Sequence, residues 1–267
     1  MARVAGMGKV KLDRAGEALK EDFPFRRYIP SGLTLLGLCC GATSIRFALT
    51  GYYKAAVVAI ICAAVFDLLD GRVARLFGVD SAFGAQLDSL ADLVSFGIAP
   101  SILVYTWTLY QAHGAGWAVA LAFCACCAIR LARFNVESAD ADPDAAPEPY
   151  FRGVPTPAAA CLILLPMLLG FQFSDQVLTN PLLSAAIIAT MSALMVSRVP
   201  TLSLKNIHVL PQFRGLVIAF GVLMLATAIV FPWSTLTGGL IIYLITIPFG
   251  AAAFSERRRA KRRQRMD

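Results

Sequence analysis

The sequence predicts an all-α membrane protein with about eight transmembrane helices, and three observations support this fold class. The 267 residues are 58% hydrophobic and only 15% charged, with a mean hydropathy of +0.67. Soluble domains usually carry about 25% charged residues. Eight apolar runs are near the length that a helix needs to cross a bilayer, roughly 17 to 25 residues. The basic residues, finally, concentrate in alternate connections between these runs.

The eight predicted spans follow one another with mostly short connections. They cover residues 30–49, 52–70, 83–109, 115–134, 154–173, 180–197, 214–232 and 235–254. We therefore predict one transmembrane domain over 30–254, preceded by a polar segment, 1–29, and followed by a basic tail, 255–267. The polar segment has enough helical periodicity for an interfacial amphipathic helix, and a solvated tail fits it equally well.

The distribution of positive charge predicts the orientation of the spans. With the N-terminus inside, only Arg46 and Lys54 of the 24 Lys and Arg residues fall near the outer side. This predicts a multi-pass protein of the inner (cytoplasmic) membrane with both termini in the cytoplasm. Juxtamembrane basic residues attract anionic lipid headgroups, which explains the net charge of +7 without a nucleic-acid partner.

Four aspartates interrupt the apolar pattern at the inner ends of the second and third spans. Asp67 and Asp70 are three residues apart, and Asp88 and Asp92 are four apart. Each pair therefore shares a helix face, and two such faces opposed would form one cluster. An Asp within a membrane helix costs roughly 2.5–3.5 kcal/mol, so a cation must offset these charges.

Two kinds of cation fit this cluster. Arg72 and Arg75 could supply part of the charge, but Mg²⁺ and Mn²⁺ prefer carboxylate ligands, and two ions about 3.5–4 Å apart suit four acids. Gly71, Ala74 and Gly84 leave open space beside the acids, and the Arg75 guanidinium suits a phosphate oxygen. Together these residues indicate a diphosphate site.

Eight positions with fixed spacing carry a family resemblance. They form the pattern D-x2-D-G-x2-A-R-x8-G-x3-D-x3-D at Asp67, Asp70, Gly71, Ala74, Arg75, Gly84, Asp88 and Asp92. In this pattern the chain resembles the CDP-alcohol phosphotransferases. The resemblance implies that family's membrane fold, and an enzyme that displaces CMP from a CDP-linked lipid by attack of an alcohol.

The resemblance also implies roles for the motif residues. Two divalent ions, Mg²⁺ or Mn²⁺, would be held by Asp67, Asp70, Asp88 and Asp92. Asp92 would in addition be the catalytic base. The nucleotide and its diphosphate would be bound by Gly71, Ala74, Arg75 and Gly84. A homodimer in the lipid bilayer is expected on the same ground.

The acceptor alcohol has to be inferred from other segments. Residues 41–51, 88–100, 128–136 and 151–160 resemble family members that use CDP-diacylglycerol and L-serine as substrates. Serine offers a carboxylate and an ammonium group, so Arg133, Asn135, Arg152 and Ser95 are the candidate acceptor-binding residues. The arginines are explained equally well as inner-face anchors.

Other functions stay open at this point. The same transfer could use glycerol 3-phosphate, inositol phosphate or choline as the acceptor. Family relatives also commonly have Asn where this chain has Ser31 and Ser95. A transporter or channel would place its acids near the midplane of repeated halves, whereas here they cluster near one face in the first half only. A non-catalytic lipid-binding scaffold is the third possibility.

Overall fold

The computed structural model describes residues 28–79, 81–139, 150–173, 176–197, 200–202 and 214–246. In this part of the chain nearly all residues are helical, which confirms the predicted all-α class. The helices are α1 Ile29–Leu49, α2 Tyr53–Phe77, α3 Ala82–Asp92, α4 Ala99–Trp107, α5 His113–Ala139, α6 Thr156–Ile163, α7 Leu165–Gly170, α8 Pro181–Val196, α9 Arg214–Val230 and α10, residues 232–246. Residues 1–27 and the tail 255–267 lie outside the described residues.

The helices have the length and surface of a membrane protein. Three helical segments are long and apolar enough to cross a bilayer, Ile29–Leu49, Ala82–Trp107 and Leu109–Ala139. Two shorter apolar segments are Pro181–Val196 and Gly221–Val230. Large apolar side chains are exposed along the helices, among them Leu36, Val58 and Leu223. Exposed apolar side chains in such number are expected where protein faces lipid.

The second helix extends beyond its predicted span. Residues 71–77 were expected in a connection, but α2 continues to Phe77 and ends at Gly78, whose φ of 62° favours glycine. Ser81 then opens α3, and its Oγ accepts a hydrogen bond from the Gly84 N–H at 3.0 Å. Asp67, Asp70 and Arg75 therefore lie on one continuous helix.

A π-helical turn, Leu93–Ile98, joins α3 to α4 directly after Asp92. Pro100 follows it and lacks the N–H that an α-helix would donate to residue 96, which favours an irregular turn here. The turn packs on α1, where Ser95 Oγ donates to the Gly37 carbonyl at 3.3 Å. A Cβ at position 41 would lie 2.7 Å from the Ser95 Cα, so this close approach requires Gly41.

Two features of the second half differ from the prediction. The fifth span is divided into α6 and α7 at Leu164, because Pro166 occupies the first turn of α7. Short strands β1, Tyr150–Arg152, and β2, Pro200–Leu202, also form an antiparallel pair, in segments that the sequence assigned to connections between spans. The pair ties the segment before α6 to the segment after α8.

The core lies between the helices that follow α1. Fully buried apolar side chains come from α2, the π-helical turn, α5, α6 and α8, and include Ile60, Phe96, Phe123, Leu162 and Met195. Helix α1 packs along α2, and α5 packs along α8. This packing fixes α2, α3 and α5 around the acidic residues.

Candidate active site

The carboxylates of α2 and α3 form a cluster. Asp67, Asp70 and Asp88 each place one carboxylate oxygen within 4.8 Å of the others. The carboxyl group of Asp92 in turn interacts directly with that of Asp67. Asp70 is only 5% exposed. The structure therefore brings all four predicted acids to one place.

The chemistry of this cluster fits a divalent cation. Among the described residues, no Lys or Arg forms an ion pair with these carboxylates. Neighbouring carboxylates shielded from water repel one another unless a proton or cation lies between them. Hard divalent ions select such oxygen ligands. The cluster of Asp67, Asp70 and Asp88 can thus bind a divalent metal ion.

Thr34 of α1 is a part of this site that the sequence did not single out. Its Oγ1 donates a 2.6 Å hydrogen bond to Oδ2 of Asp70, and both residues are buried. Groups that hydrogen-bond a ligating carboxylate fix its orientation. The only signal in the sequence was a hydroxyl residue within an apolar span, which usually reflects helix packing.

A cavity of about 340 Å³ opens on one side of the acids. Asp70 and Asp88 line it from α2 and α3. The four predicted nucleotide-site residues, Gly71, Ala74, Arg75 and Gly84, line it as well. Arg75 Nη1 lies 3.8 Å from the position that a Cβ at residue 71 would occupy, so the glycine leaves room beside the guanidinium. The cavity combines a cation, carboxylates and open backbone.

A second cavity, of about 740 Å³, lies on the other side and is bounded by α5 and α6. All four aspartates line it, together with Arg130, Phe134, Asn135 and Pro157. Asp67 and Asp92 are lining residues of this cavity but not of the smaller one. Asp70, Asp88, Gly71 and Arg75 line both cavities, so the two spaces adjoin at the acids, and Asp92 lines the larger.

The predicted acceptor residues occupy different positions. Asn135 lines the larger cavity, and its Oδ1 accepts a 3.0 Å hydrogen bond from Ser89. Arg133 instead donates from Nη1 to the Val196 carbonyl at 3.0 Å. Ser95 is 2% exposed and packs against α1. Arg152 lies in β1, where its backbone pairs with residue 200.

Fold and site together define a class of protein, a helical membrane enzyme whose carboxylate cluster can bind a divalent metal ion between two cavities. A family model described as CDP-alcohol phosphatidyltransferase matches residues 27–197, and the chain belongs to this family. The family predicted from the motif is therefore confirmed.

Named relatives cover most of the chain. A protein of Mycobacterium leprae (strain TN) is 36% identical over 221 residues, which are 83% of this chain and 73% of the relative. One of Helicobacter pylori (strain J99) is 34% identical over 81% of this chain and 87% of its own length. One of Bacillus subtilis (strain 168) is 36% identical over 64% and 88%. Each is named CDP-diacylglycerol–serine O-phosphatidyltransferase.

Proposed function

We propose that this chain transfers the phosphatidyl group of CDP-diacylglycerol to the hydroxyl of L-serine, releasing CMP and forming phosphatidylserine. The observation that carries the proposal is the position of the acids between two cavities. All four residues suited to a nucleotide diphosphate line the smaller cavity, and the larger, which shares Gly71 and Arg75 with it, leaves room for an acceptor beside Asp92. The names of the relatives support serine as the acceptor.

The reaction is a direct displacement at phosphorus. The serine oxygen forms a bond to the phosphatidyl phosphorus, and the bond from this phosphorus to the bridging oxygen of CMP breaks. CMP leaves with the electron pair of that bond. We assign Asp92 as the catalytic base that accepts the hydroxyl proton, because it faces the larger cavity. No covalent enzyme intermediate is required.

The remaining site residues bind and orient the donor. In our proposal Asp67, Asp70, Asp88 and Asp92 hold two divalent ions, Mg²⁺ or Mn²⁺. Bound ions would stabilise negative charge on the diphosphate and the departing CMP. Arg75 contacts a phosphate oxygen, while Gly71, Ala74 and Gly84 let the nucleotide approach the backbone.

The membrane topology belongs to the same proposal. We infer eight spans in the inner membrane, with both termini and the active site on the cytoplasmic side, from the distribution of Lys and Arg. The transmembrane catalytic domain comprises residues 30–254. We propose that the protein assembles as a homodimer.

Other acceptors fit the larger cavity less well. Recognition of choline requires an aromatic cage, and Phe134 is the only aromatic side chain among the described residues that line this cavity. A phosphorylated alcohol would need several cationic groups, and the described lining has Arg75 and Arg130. Neither glycerol 3-phosphate nor inositol phosphate is therefore favoured.

The acceptor assignment is tested with purified protein, CDP-diacylglycerol and Mn²⁺ or Mg²⁺. L-serine, glycerol 3-phosphate, inositol phosphate and choline are added separately, CMP release is measured, and the lipid product is identified by mass. We expect release that depends on serine and a product of the mass of phosphatidylserine. Release without an acceptor, or a preference for another alcohol, would contradict the proposal.

Replacing Thr34 by valine is expected to weaken metal activation. Thr34→Val keeps the shape of the side chain but removes the hydrogen bond to Asp70. Loss of a group that orients a metal ligand typically lowers metal affinity about 10- to 100-fold. The Mn²⁺ concentration for half-maximal activity should rise by a factor in that range. In Thr34→Ser, which keeps the hydroxyl, this concentration should equal that of the wild type.

Thr43→Val is the matched control for this experiment. Thr43 lies on the same helix, is exposed, and donates to the Cys39 carbonyl of its own helix at 2.7 Å. We expect its metal dependence to equal that of the wild type. An unchanged Mn²⁺ titration in Thr34→Val would show that Thr34 does not position Asp70 for metal binding.

A further inference from the structure

Arg130 occupies a position in the larger cavity that the reaction described above does not use. It lies on the face of α5 that lines this cavity, one turn before Phe134. Asp92 lines the same cavity from α3, close enough for its charge to interact with that of Arg130. Arg130 is therefore placed beside the proposed base without being paired to it.

The guanidinium of Arg130 is held at one end only. Its Nη1 donates to Oγ1 of Thr156, which is fully buried at the start of α6. Its Nε is also buried and has no hydrogen-bond partner among the residues that the structure describes. A guanidinium has five N–H donors in a rigid fork, so Thr156 fixes its orientation and leaves donors unused.

The charge of Arg130 interacts with that of Asp92 but is not neutralised by a direct ion pair. Among the described residues, no carboxylate forms an ion pair with it. Arg130 is partly buried, and the cost of shielding a cation from water is offset where a ligand supplies the anion. A planar carboxylate matches the guanidinium fork with two parallel hydrogen bonds. The site thus calls for an anionic oxygen ligand within the cavity.

Two sources could supply that oxygen, the acceptor or the phosphate of the lipid donor. Of the residues suited to the nucleotide diphosphate, Ala74 and Gly84 line only the smaller cavity and Gly71 and Arg75 line both, whereas Arg130 lines only the larger. Arg130 instead lines the side to which Asp92 turns. The position of Arg130 therefore favours the acceptor as the source of the anionic oxygen.

We propose that Arg130 binds the carboxylate of an amino-acid acceptor and so selects serine over alcohols that lack a carboxylate. This inference rests on the proposed function. It replaces Arg133 as the main candidate, since Arg133 does not line the cavity and already donates to the Val196 carbonyl. Thr156 is a positioning residue that aims the guanidinium.

The experiment compares L-serine with ethanolamine, which has the same hydroxyl and ammonium groups but no carboxylate. For each acceptor kcat/KM is measured with wild type, Arg130→Gln and Arg130→Lys. Breaking a buried charge pair usually lowers affinity about 30-fold or more, so Arg130→Gln should lower kcat/KM for serine by that factor. Its kcat/KM for ethanolamine and its KM for CDP-diacylglycerol should change little.

The ratio of kcat/KM for serine to kcat/KM for ethanolamine is measured on one preparation of each variant, so a smaller folded fraction does not alter this ratio. Arg130→Lys keeps the charge but not the forked guanidinium, and its ratio should lie between those of the wild type and Arg130→Gln. If Arg130→Gln has no activity with either acceptor, the ratio of Arg130→Lys is compared with that of the wild type instead, and an unchanged ratio contradicts the inference. Arg46→Gln, an exposed arginine near the other end of α1, is the control and should keep the wild-type ratio.

Three results would overturn the inference. The first is an unchanged ratio in Arg130→Gln. The second is a raised KM for CDP-diacylglycerol with an unchanged ratio, which assigns Arg130 to the lipid phosphate. The third is a loss of selectivity in Arg133→Gln in place of Arg130→Gln. If the wild type itself shows no preference for serine, the proposed function fails, and this outcome is distinct from the other three.

Discussion

Asp88→Ala is expected to lower kcat/KM for phosphatidyl transfer by about three orders of magnitude, since metal stabilisation of charge contributes several kcal/mol. Asp88 is the α3 member of the three carboxylates gathered within 4.8 Å, and the other two, Asp67 and Asp70, belong to α2. Its removal leaves no oxygen ligand from α3 in this set of three. Asp67→Ala should have a comparable effect.

The measurement is CMP release as a function of Mn²⁺ or Mg²⁺ concentration, with thermal stability followed in parallel to show that each variant folds. In the wild type, a chelator should remove activity and added Mn²⁺ should restore it. Glu137→Ala is the control, because Glu137 is an exposed carboxylate of α5 outside the cluster. Full activity in Asp67→Ala or Asp88→Ala, or in chelator, would contradict the metal hypothesis.

The acid cluster could be predicted because its signal is local. Spacings of three and four residues place Asp67 with Asp70 and Asp88 with Asp92, whatever the rest of the fold does. Short connections between consecutive helices also favour antiparallel neighbours, so the two pairs were expected to meet. Family membership followed from the same residues.

Contacts between distant segments could not be predicted in this way. Thr34 reaches Asp70 across 36 residues of sequence, and this depends on the rotation of α1 about its own axis. The pairing of β1 with β2 also joins segments far apart in the chain. The end of α2 at Gly78 was also predicted too early in the chain, because a charged helix end resembles a polar connection in sequence.

The choice between Arg130 and Arg133 shows the same limit at the acceptor site. The two residues are three positions apart on α5, and both were expected near the inner face. Arg130 lines the cavity, while Arg133 donates to the carbonyl of Val196 at the end of α8. Only the packing of α5 between α3 and α8 decides which guanidinium reaches the acids.

Helix α1 has a larger part in the site than its composition suggested. Thr34 holds Asp70, and the Gly37 carbonyl accepts the hydrogen bond from Ser95 in the turn that follows Asp92. Gly41 permits this approach, because a side chain there would overlap Ser95. One helix without an acidic residue therefore positions acids on both α2 and α3.

Asp92→Asn is expected to lower kcat by about 10²- to 10⁴-fold, the usual contribution of a positioned base. The substitution keeps the size of the side chain but removes its ability to accept the proton of the serine hydroxyl. Asp92 lines the larger cavity and lies outside the set of three carboxylates gathered within 4.8 Å. Its loss should therefore affect turnover more than binding, and KM for CDP-diacylglycerol should change little.

A metal titration separates the two roles assigned to Asp92. Added metal does not compensate for the loss of a proton acceptor. If Asp92 acts mainly as the base, Asp92→Asn should therefore remain slow at saturating Mn²⁺. Asp88→Ala should instead show a large shift in the Mn²⁺ concentration that it needs, because Asp88 belongs to the set of three. Glu137→Gln, the same carboxylate-to-amide exchange at an exposed position of α5, should keep full activity. If high Mn²⁺ restores turnover in Asp92→Asn, Asp92 acts as a metal ligand only and another group accepts the proton.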